Sequence, residues 1–266
     1  MESLRKKLLS GGVSCGPFLK LTDPAVAEIV GLAGFTHAVI DLEHGPLTIQ
    51  RAQDLIRAAR LRGLAPMVRV GANRETEILR ALDIGAEGVH IPHIDSREEA
   101  QRALSACYFH PSGSRGVCRY VRAADYTATP KATHFREANE RIVPVLHIEG
   151  QEGVRALPDI LELEGHGIIF LGPYDLSQSC GVPGEVNHPK VLDAMRSAVA
   201  QAKQQGVAVG TFVDAPEDAG TWAALGVQYI CLSVDVGILY DACAAASAAL
   251  KAEIEKSGAG DRSRPT

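Results

Sequence analysis

Residues 65–91 read APMVRVGANRETEILRALDIGAEGVHI, and their pattern decides the fold. Ala65–Arg69 is a short, nearly all-apolar run ending in arginine, as strands buried on both faces of a parallel sheet are. Arg74–Asp83 then repeats apolar residues at helical spacing. Gly85 follows where a left-handed helix terminus needs glycine, and Gly88–Ile91 is strand-like again. The stretch is one strand–helix–strand unit.

The same unit recurs on both sides. Candidate strands are Cys15–Leu19, His37–Ile40, Ala65–Arg69, Gly88–Ile91, Val143–Ile148, Gly167–Leu171, Val207–Phe212 and Gln228–Ser233. Thr48–Arg62, Ser96–Cys107, Pro189–Gln204 and Ala215–Leu225 carry helical apolar stripes, and Gly63, Gly206 and Gly226 end helices as Gly85 does. Eight such units predict a (β/α)8 barrel over 1–256 as a single domain. The alternative, an open doubly wound sheet, lacks support because Phe18-Leu-Lys-Leu-Thr-Asp23 has no glycine fingerprint for a dinucleotide. Two segments depart from the pattern. Tyr108–Asn139 reads as a long functional or disordered loop, and 257–266 as a disordered tail rich in glycine, serine and charge.

Composition narrows the function classes. The chain has 266 residues, 46% hydrophobic and 22% charged, with net charge −5, so it carries no basic footprint for nucleic acid. No apolar run is long enough for a membrane span, and the N-terminus has no apolar core of a signal peptide. Six widely spaced cysteines fit neither a zinc site nor a disulfide frame, which predicts a reduced, cytoplasmic protein.

In a barrel the chemistry lies at the C-terminal ends of the strands. There the sequence places Asp41-Leu-Glu-His44, Arg69, His147-Ile-Glu149 and Gly172-Pro-Tyr-Asp175. Taken singly, Asp175 could cap a helix, Asp41 could serve a turn and Arg69 a surface ion pair. Four charged strand ends on one rim point to a site instead. Glu149 and Asp175 leave an oxygen-rich divalent site half filled, suited to Mg²⁺, Mn²⁺ or Co²⁺. A 2-oxo acid such as pyruvate or oxaloacetate would complete it, with Arg69 as a guanidinium fork for its oxygens. His44, held in one tautomer by Asp41, would act as general acid/base. The predicted reaction makes or breaks a C–C bond through an enolate, with an aldehyde or an acyl-CoA as the other partner.

Ile40-Asp-Leu-Glu-His-Gly-Pro46, Val68-Arg-Val70, Leu82-Asp-Ile-Gly-Ala86, Gly113-Ser-Arg-Gly116, His147-Ile-Glu149 and Leu171-Gly-Pro-Tyr-Asp-Leu-Ser177 together resemble the HpcH/HpaI aldolase and citrate lyase family. The resemblance implies a class II pyruvate aldolase with Glu149 and Asp175 as metal ligands. It also implies Arg69 on the substrate, a His44–Asp41 pair, and backbone amides around Gly172 and Pro173 for the substrate carboxylate. A homo-oligomer is implied as well, dimer-based and up to a hexamer, with the last helix exchanged between subunits.

Departures from the family concern specificity. Tyr174 stands where a small residue is usual, His147 where glutamine is commoner, and His90 and His93 in a segment usually apolar. Arg115, Arg119 and Arg122 in the long loop are candidates to clamp further carboxylates, which keeps open a citrate synthase-like condensation of oxaloacetate with acetyl-CoA. Two other chemistries remain: a Schiff base on Lys20, and a non-catalytic barrel that binds a small dicarboxylate.

Overall fold

The computed structural model describes residues 3–257, and its strands close into a parallel barrel in sequence order. They are β1 (Ser14–Leu19), β2 (His37–Asp41), β3 (Ala65–Arg69), β4 (Gly88–Ile91), β5 (Val143–Ile148), β6 (Ile168–Leu171), β7 (Ala208–Val213) and β8 (Tyr229–Val234). The ring closes where Ser14, Cys15 and Gly16 of β1 pair with Tyr229, Ile230 and Cys231 of β8. Each predicted strand is therefore present, with ends shifted by a residue at most.

Helices α1 (Leu4–Leu9), α2 (Ala25–Leu32), α3 (Ile49–Leu61), α4 (Glu75–Asp83), α5 (Arg97–Cys107), α6 (Lys131–Arg141), α7 (Gln151–Leu161), α8 (Pro173–Ser179), α9 (Pro189–Gln204), α10 (Pro216–Leu225) and α11 (Asp235–Lys256) complete the chain. Their starts follow local chemistry. The Thr48 hydroxyl accepts from the Arg51 amide to cap α3, and the Ser96 hydroxyl accepts from the Glu99 amide to cap α5. Gly226 ends α10 at φ 109°, a left-handed conformation that a side chain would strain.

Two apolar layers result. Ala52, Leu55, Ile56 and Ala59 on α3 are typical of the outer layer, where helices meet the outside of the barrel. Phe18, Val39, Met67, Val145, Ile168, Phe170, Tyr229 and Cys231 fill the interior, and Leu4 and Leu8 of α1 pack against them.

The expected loop over Tyr108–Asn139 is nearly half helical. It holds a 3₁₀ turn at Arg122–Thr127 and most of α6. In α6 only His134 and Ala138 are buried, so no apolar stripe announces the helix in the sequence. The expected tail over 257–266 lies outside the described residues except for Ser257, the C-cap of α11. Among the described residues, no helix is long and apolar enough to cross a membrane.

Candidate active site

At the end of β2, Asp41 is wholly buried and ionised. Burial alone would raise its carboxyl, but Arg69 and the amides of Glu43 and His44 hold it below the usual range. Arg69, at the end of β3, donates to it twice, Nε to Oδ1 at 2.9 Å and Nη2 to Oδ2 at 2.8 Å. The register places the two residues opposite each other, so the bidentate pair follows from strand order. The guanidinium also lies over the Phe18 ring at 4.6 Å.

This geometry revises two expectations. The Asp41 carboxylate meets His44 only at its backbone, accepting from the amide at 3.2 Å. The His44 ring instead faces Glu43, with Nε2 3.8 Å from Oε2, and it is largely exposed. The reason is competition: a buried guanidinium claims both carboxylate oxygens. Arg69 in turn is not a free fork, since Nε and Nη2 serve Asp41 and Nη1 lies 3.2 Å from Glu43. Only part of its edge remains for a ligand.

Glu43 was missed by the sequence reading, although it sits inside the quoted Asp41–His44 stretch. Burial raises its carboxyl above the ordinary value, with Arg69 opposing and Glu149 adding to the rise. Glu149, at the mouth of β5, is shifted the other way. Burial would raise it, but His147 and His93 pull it down to about 2. His147 Nδ1 lies 3.2 Å from its Oε2, and the His93 amide donates to Oε1 at 2.8 Å. His93 adopts a positive φ of 54° and reaches Glu43 through Nε2 at 3.4 Å, bridging the two acids. Neighbouring carboxyls pushed in opposite directions are a common mark of acid–base chemistry.

Gly172 follows β6, and a Cβ there would stand 2.8 Å from Glu149 Oε2, so only glycine leaves room for that carboxylate. Asp175 lies two residues into the first turn of α8, exposed, and lines the same cavity of about 460 Å³ as Glu149, Arg69, Asp41 and His44. Among the described residues no group of three or more acids, histidines or cysteines could grip an ion. Glu149 and Asp175, the two carboxylates expected to hold a cation, both line the cavity. Mg²⁺ accepts that arrangement, since it keeps water and substrate oxygens in its shell. The Gly172 amide points to the Ile148 carbonyl at 3.4 Å and Pro173 has none, which leaves the Tyr174 and Asp175 amides as the donors at the start of α8.

Tyr174 donates its hydroxyl to both oxygens of Asp214 at 2.9 Å, and its ring meets Phe212 edge-on. With Phe18 and Phe170 these rings form an aromatic wall of the cavity. Lys20 also lines it, its ammonium 3.8 Å from Asp41 Oδ2, an ion-pairing place rather than that of a free nucleophile. His90 does not reach the cavity and is buried within the barrel.

Arg115, Arg119 and Arg122 do not join the site. Arg115 is buried, donating to Asp83 at 2.7 Å and lying over Phe109. Arg119 lies over the Tyr120 ring, and Arg122 donates to the Ile84 carbonyl at 3.2 Å. All three follow α5 and precede β5. That connection returns to the N-terminal ends of the strands, away from the chemistry.

A closed (β/α)8 barrel with acids, a held guanidinium and an imidazole around the C-terminal ends of its strands is built as barrel enzymes are. The chain belongs to the family described as HpcH/HpaI aldolase/citrate lyase, whose model matches residues 15–242. It is 31% identical to the 4-hydroxy-2-oxo-heptane-1,7-dioate aldolase of Escherichia coli over 95% of this chain and 96% of that one. It is 33% identical to the 5-keto-4-deoxy-D-glucarate aldolase of Citrobacter koseri, over 91% of this chain and 93% of that one. Among solved structures, the citrate synthase SbnG superposes with a TM-score of 0.87 at 31% identity, covering 95% of this chain and 99% of that one.

Proposed function

We propose that this protein is a divalent-metal-dependent aldolase that cleaves or forms the C–C bond of 4-hydroxy-2-oxo acids, with pyruvate as one partner and an aldehyde as the other. The observation that carries this is the convergence of Glu149, Asp175 and Arg69 on one cavity. Glu149 and Asp175 would hold the cation. Bound there, it supplies Lewis acidity to the 2-oxo acid, worth several kcal/mol as charge develops.

The chain's own groups do the rest. Glu149, held at about 2, stays ionised throughout the working range and keeps its oxygens available. Arg69 presents a positive charge whose orientation Asp41 fixes, so it pays no reorganisation cost as enolate charge grows. The Tyr174 and Asp175 amides orient the substrate carboxylate at a helix start. His44 moves the proton, being the imidazole exposed to the cavity, with Glu43 rather than Asp41 as its carboxylate neighbour.

Pyruvate release from a 4-hydroxy-2-oxo acid is expected, and thiol release from acetyl-CoA with oxaloacetate is not. The opposite pair of results would make the protein a citrate synthase. The arginine clamp that favoured that alternative lies at the far end of the barrel.

We place the protein in the cytoplasm, as a homo-oligomer. Its six cysteines are free. Leu239, Tyr240, Leu250 and Ile254 leave apolar surface exposed along α11, which the exchange of this helix with a second copy would cover. Light scattering that gives a monomer mass at micromolar concentration would refute the exchange.

A further inference from the structure

The N-terminal ends of the strands open on a second cavity, of about 520 Å³, that the proposed reaction does not use. Lys7 of α1, Arg60 of α3, Arg122 of the 3₁₀ turn and Arg141 of α6 bring positive charge to its lining from four separate elements. Arg115 adds a further charge, and among the described residues it alone of these cations has an ion-pair partner, Asp83 at 2.7 Å. Two acids line the cavity as well, but each is engaged elsewhere. Glu87 accepts from the Leu4 amide at 2.8 Å, and Asp125 accepts from the Thr129 hydroxyl at 3.0 Å. So positive a cavity is out of keeping with a chain of net charge −5.

The crowding is felt by the guanidinium groups themselves. Burial lowers Arg60 below its ordinary value, with Glu87 opposing and Arg141 adding to the fall. Burial lowers Arg122 too, and Arg60 and Arg57 add to it. Arginine stays protonated in a protein, so the repulsion is relieved by an anion and not by loss of a proton. Arg60 commits Nη2 to the Gly85 carbonyl at 2.9 Å and Arg122 commits Nη1 to that of Ile84 at 3.2 Å; their other N–H groups are left over. Two buried atoms on the same lining have no hydrogen-bond partner among the described residues, Nε of Arg115 and Nε2 of His134. Both residues are only 4% exposed. Arg115 Nε can only donate, and a buried donor left unmade destabilises the fold. His134 is kept neutral, by burial first and then by the Arg115 charge, and can present an N–H at Nε2.

We propose that this cavity is a binding site for a small anion of two or more negative charges, phosphoryl or carboxylate, held by Arg60, Arg122 and Arg141 with Arg115 and His134 as buried donors. Both kinds of anion offer paired oxygens that match the guanidinium fork. A single charge leaves most of the cluster uncompensated. Binding ties α1, α3, the 3₁₀ turn and α6 together at the end of the barrel that serves stability, not turnover. The site is independent of the aldolase reading.

The test is calorimetric titration of full-length, metal-free protein with pyrophosphate and, separately, with propane-1,2,3-tricarboxylate, at constant ionic strength. Saturable binding of at least one probe is expected, with a rise in thermal midpoint, and the tighter probe tells a phosphoryl from a carboxylate ligand. Arg141 has no ion-pair partner, so Arg141→Gln should keep the wild-type midpoint without probe while its affinity falls roughly 10-fold. Arg122→Gln should lose a similar factor. Arg119→Gln removes the same charge from an exposed position outside the cavity, and its affinity should stay within about twofold of wild type. Absence of saturable binding with both probes overturns the proposal. Unchanged affinity in Arg141→Gln and Arg122→Gln does so too, because it places the probe elsewhere, as at Arg69 on the opposite rim. An equal loss in Arg119→Gln also overturns it, since net charge alone would then explain binding.

Discussion

The two ends of this barrel carry similar cavities and opposite chemistry. At the C-terminal ends of the strands, about 460 Å³ is lined by Asp41, Glu149, Asp175, Asp214 and the held Arg69. At the N-terminal ends, about 520 Å³ is lined by Lys7, Arg60, Arg115, Arg122 and Arg141, with Glu87 and Asp125. The base is thus the larger and the more cationic. Three of its arginines are nevertheless engaged in holding the fold. Arg60 donates to the Gly85 carbonyl and Arg122 to that of Ile84, the unpaired acceptors at the end of α4, while Arg115 pairs with Asp83 in the last turn of that helix. Cations there also suit the negative end of the helix dipole. Neither cavity size nor charge number identifies the site. What does is which end of the strands a side chain hangs from, and whether its oxygens are left for a ligand.

Four measurements would sharpen or break this contrast. The largest effect is expected at Asp175→Ala, which removes one of two carboxylates from the rim. Activity should fall by roughly 10³-fold and Mn²⁺ binding with it, since Lewis-acid stabilisation is worth several kcal/mol. Retained Mn²⁺ binding would take the ion away from β6. Arg69→Ala comes next, with a loss of roughly 10²-fold in kcat/KM. It also strands the buried Asp41, so urea unfolding should show a loss of about 3–5 kcal/mol. A stable, fully active variant would demote both residues.

The third measurement is of acid stability in metal-free protein. Glu149 sits at about 2 when folded, against about 4.3 in an unfolded chain. A depressed folded value stabilises above the unfolded one, and that stabilisation fades as pH falls toward 2. Between pH 5 and pH 3 the wild type should therefore lose about 1–2 kcal/mol more than Glu149→Gln. Parallel loss in the two proteins would mean that His147 and His93 do not hold the carboxyl low. The smallest effects belong to the base. Arg115→Ala should cost about 1.5–3 kcal/mol of stability, with kcat/KM within about twofold of wild type. Exposed Arg119→Ala should change neither beyond about 0.5 kcal/mol. A selective loss of turnover with dicarboxylates in either variant would return the long connection to the site.

Much of the rim was legible in advance because barrel geometry converts a position in sequence into a position in space. Once β2, β3, β5 and β6 are recognised, Asp41, Arg69, Glu149 and Asp175 must meet at one mouth. The same logic, applied to Arg115, Arg119 and Arg122, places them after α5 and therefore at the base. Their composition suggested a clamp, while their order along the chain already excluded it. The partner of His44 was not legible, because Glu43 and Asp41 are both within reach along the chain. Only the claim of Arg69 on Asp41 settles which acid remains for the imidazole.

The sequence by itself determined the alternation of strands and helices, the closure into a barrel and the acids at its mouth. These depend on local periodicity and on the fixed direction of parallel strands. The tertiary structure alone decided which charges neutralise one another, and that His147, His90 and Tyr229 line up across the lumen. Those residues are 57 and 139 positions apart in the chain. A hydrogen bond forms over about 3 Å in space, and no period in the chain encodes side-chain contacts between β4 and β5 or, across the lumen, between β4 and β8.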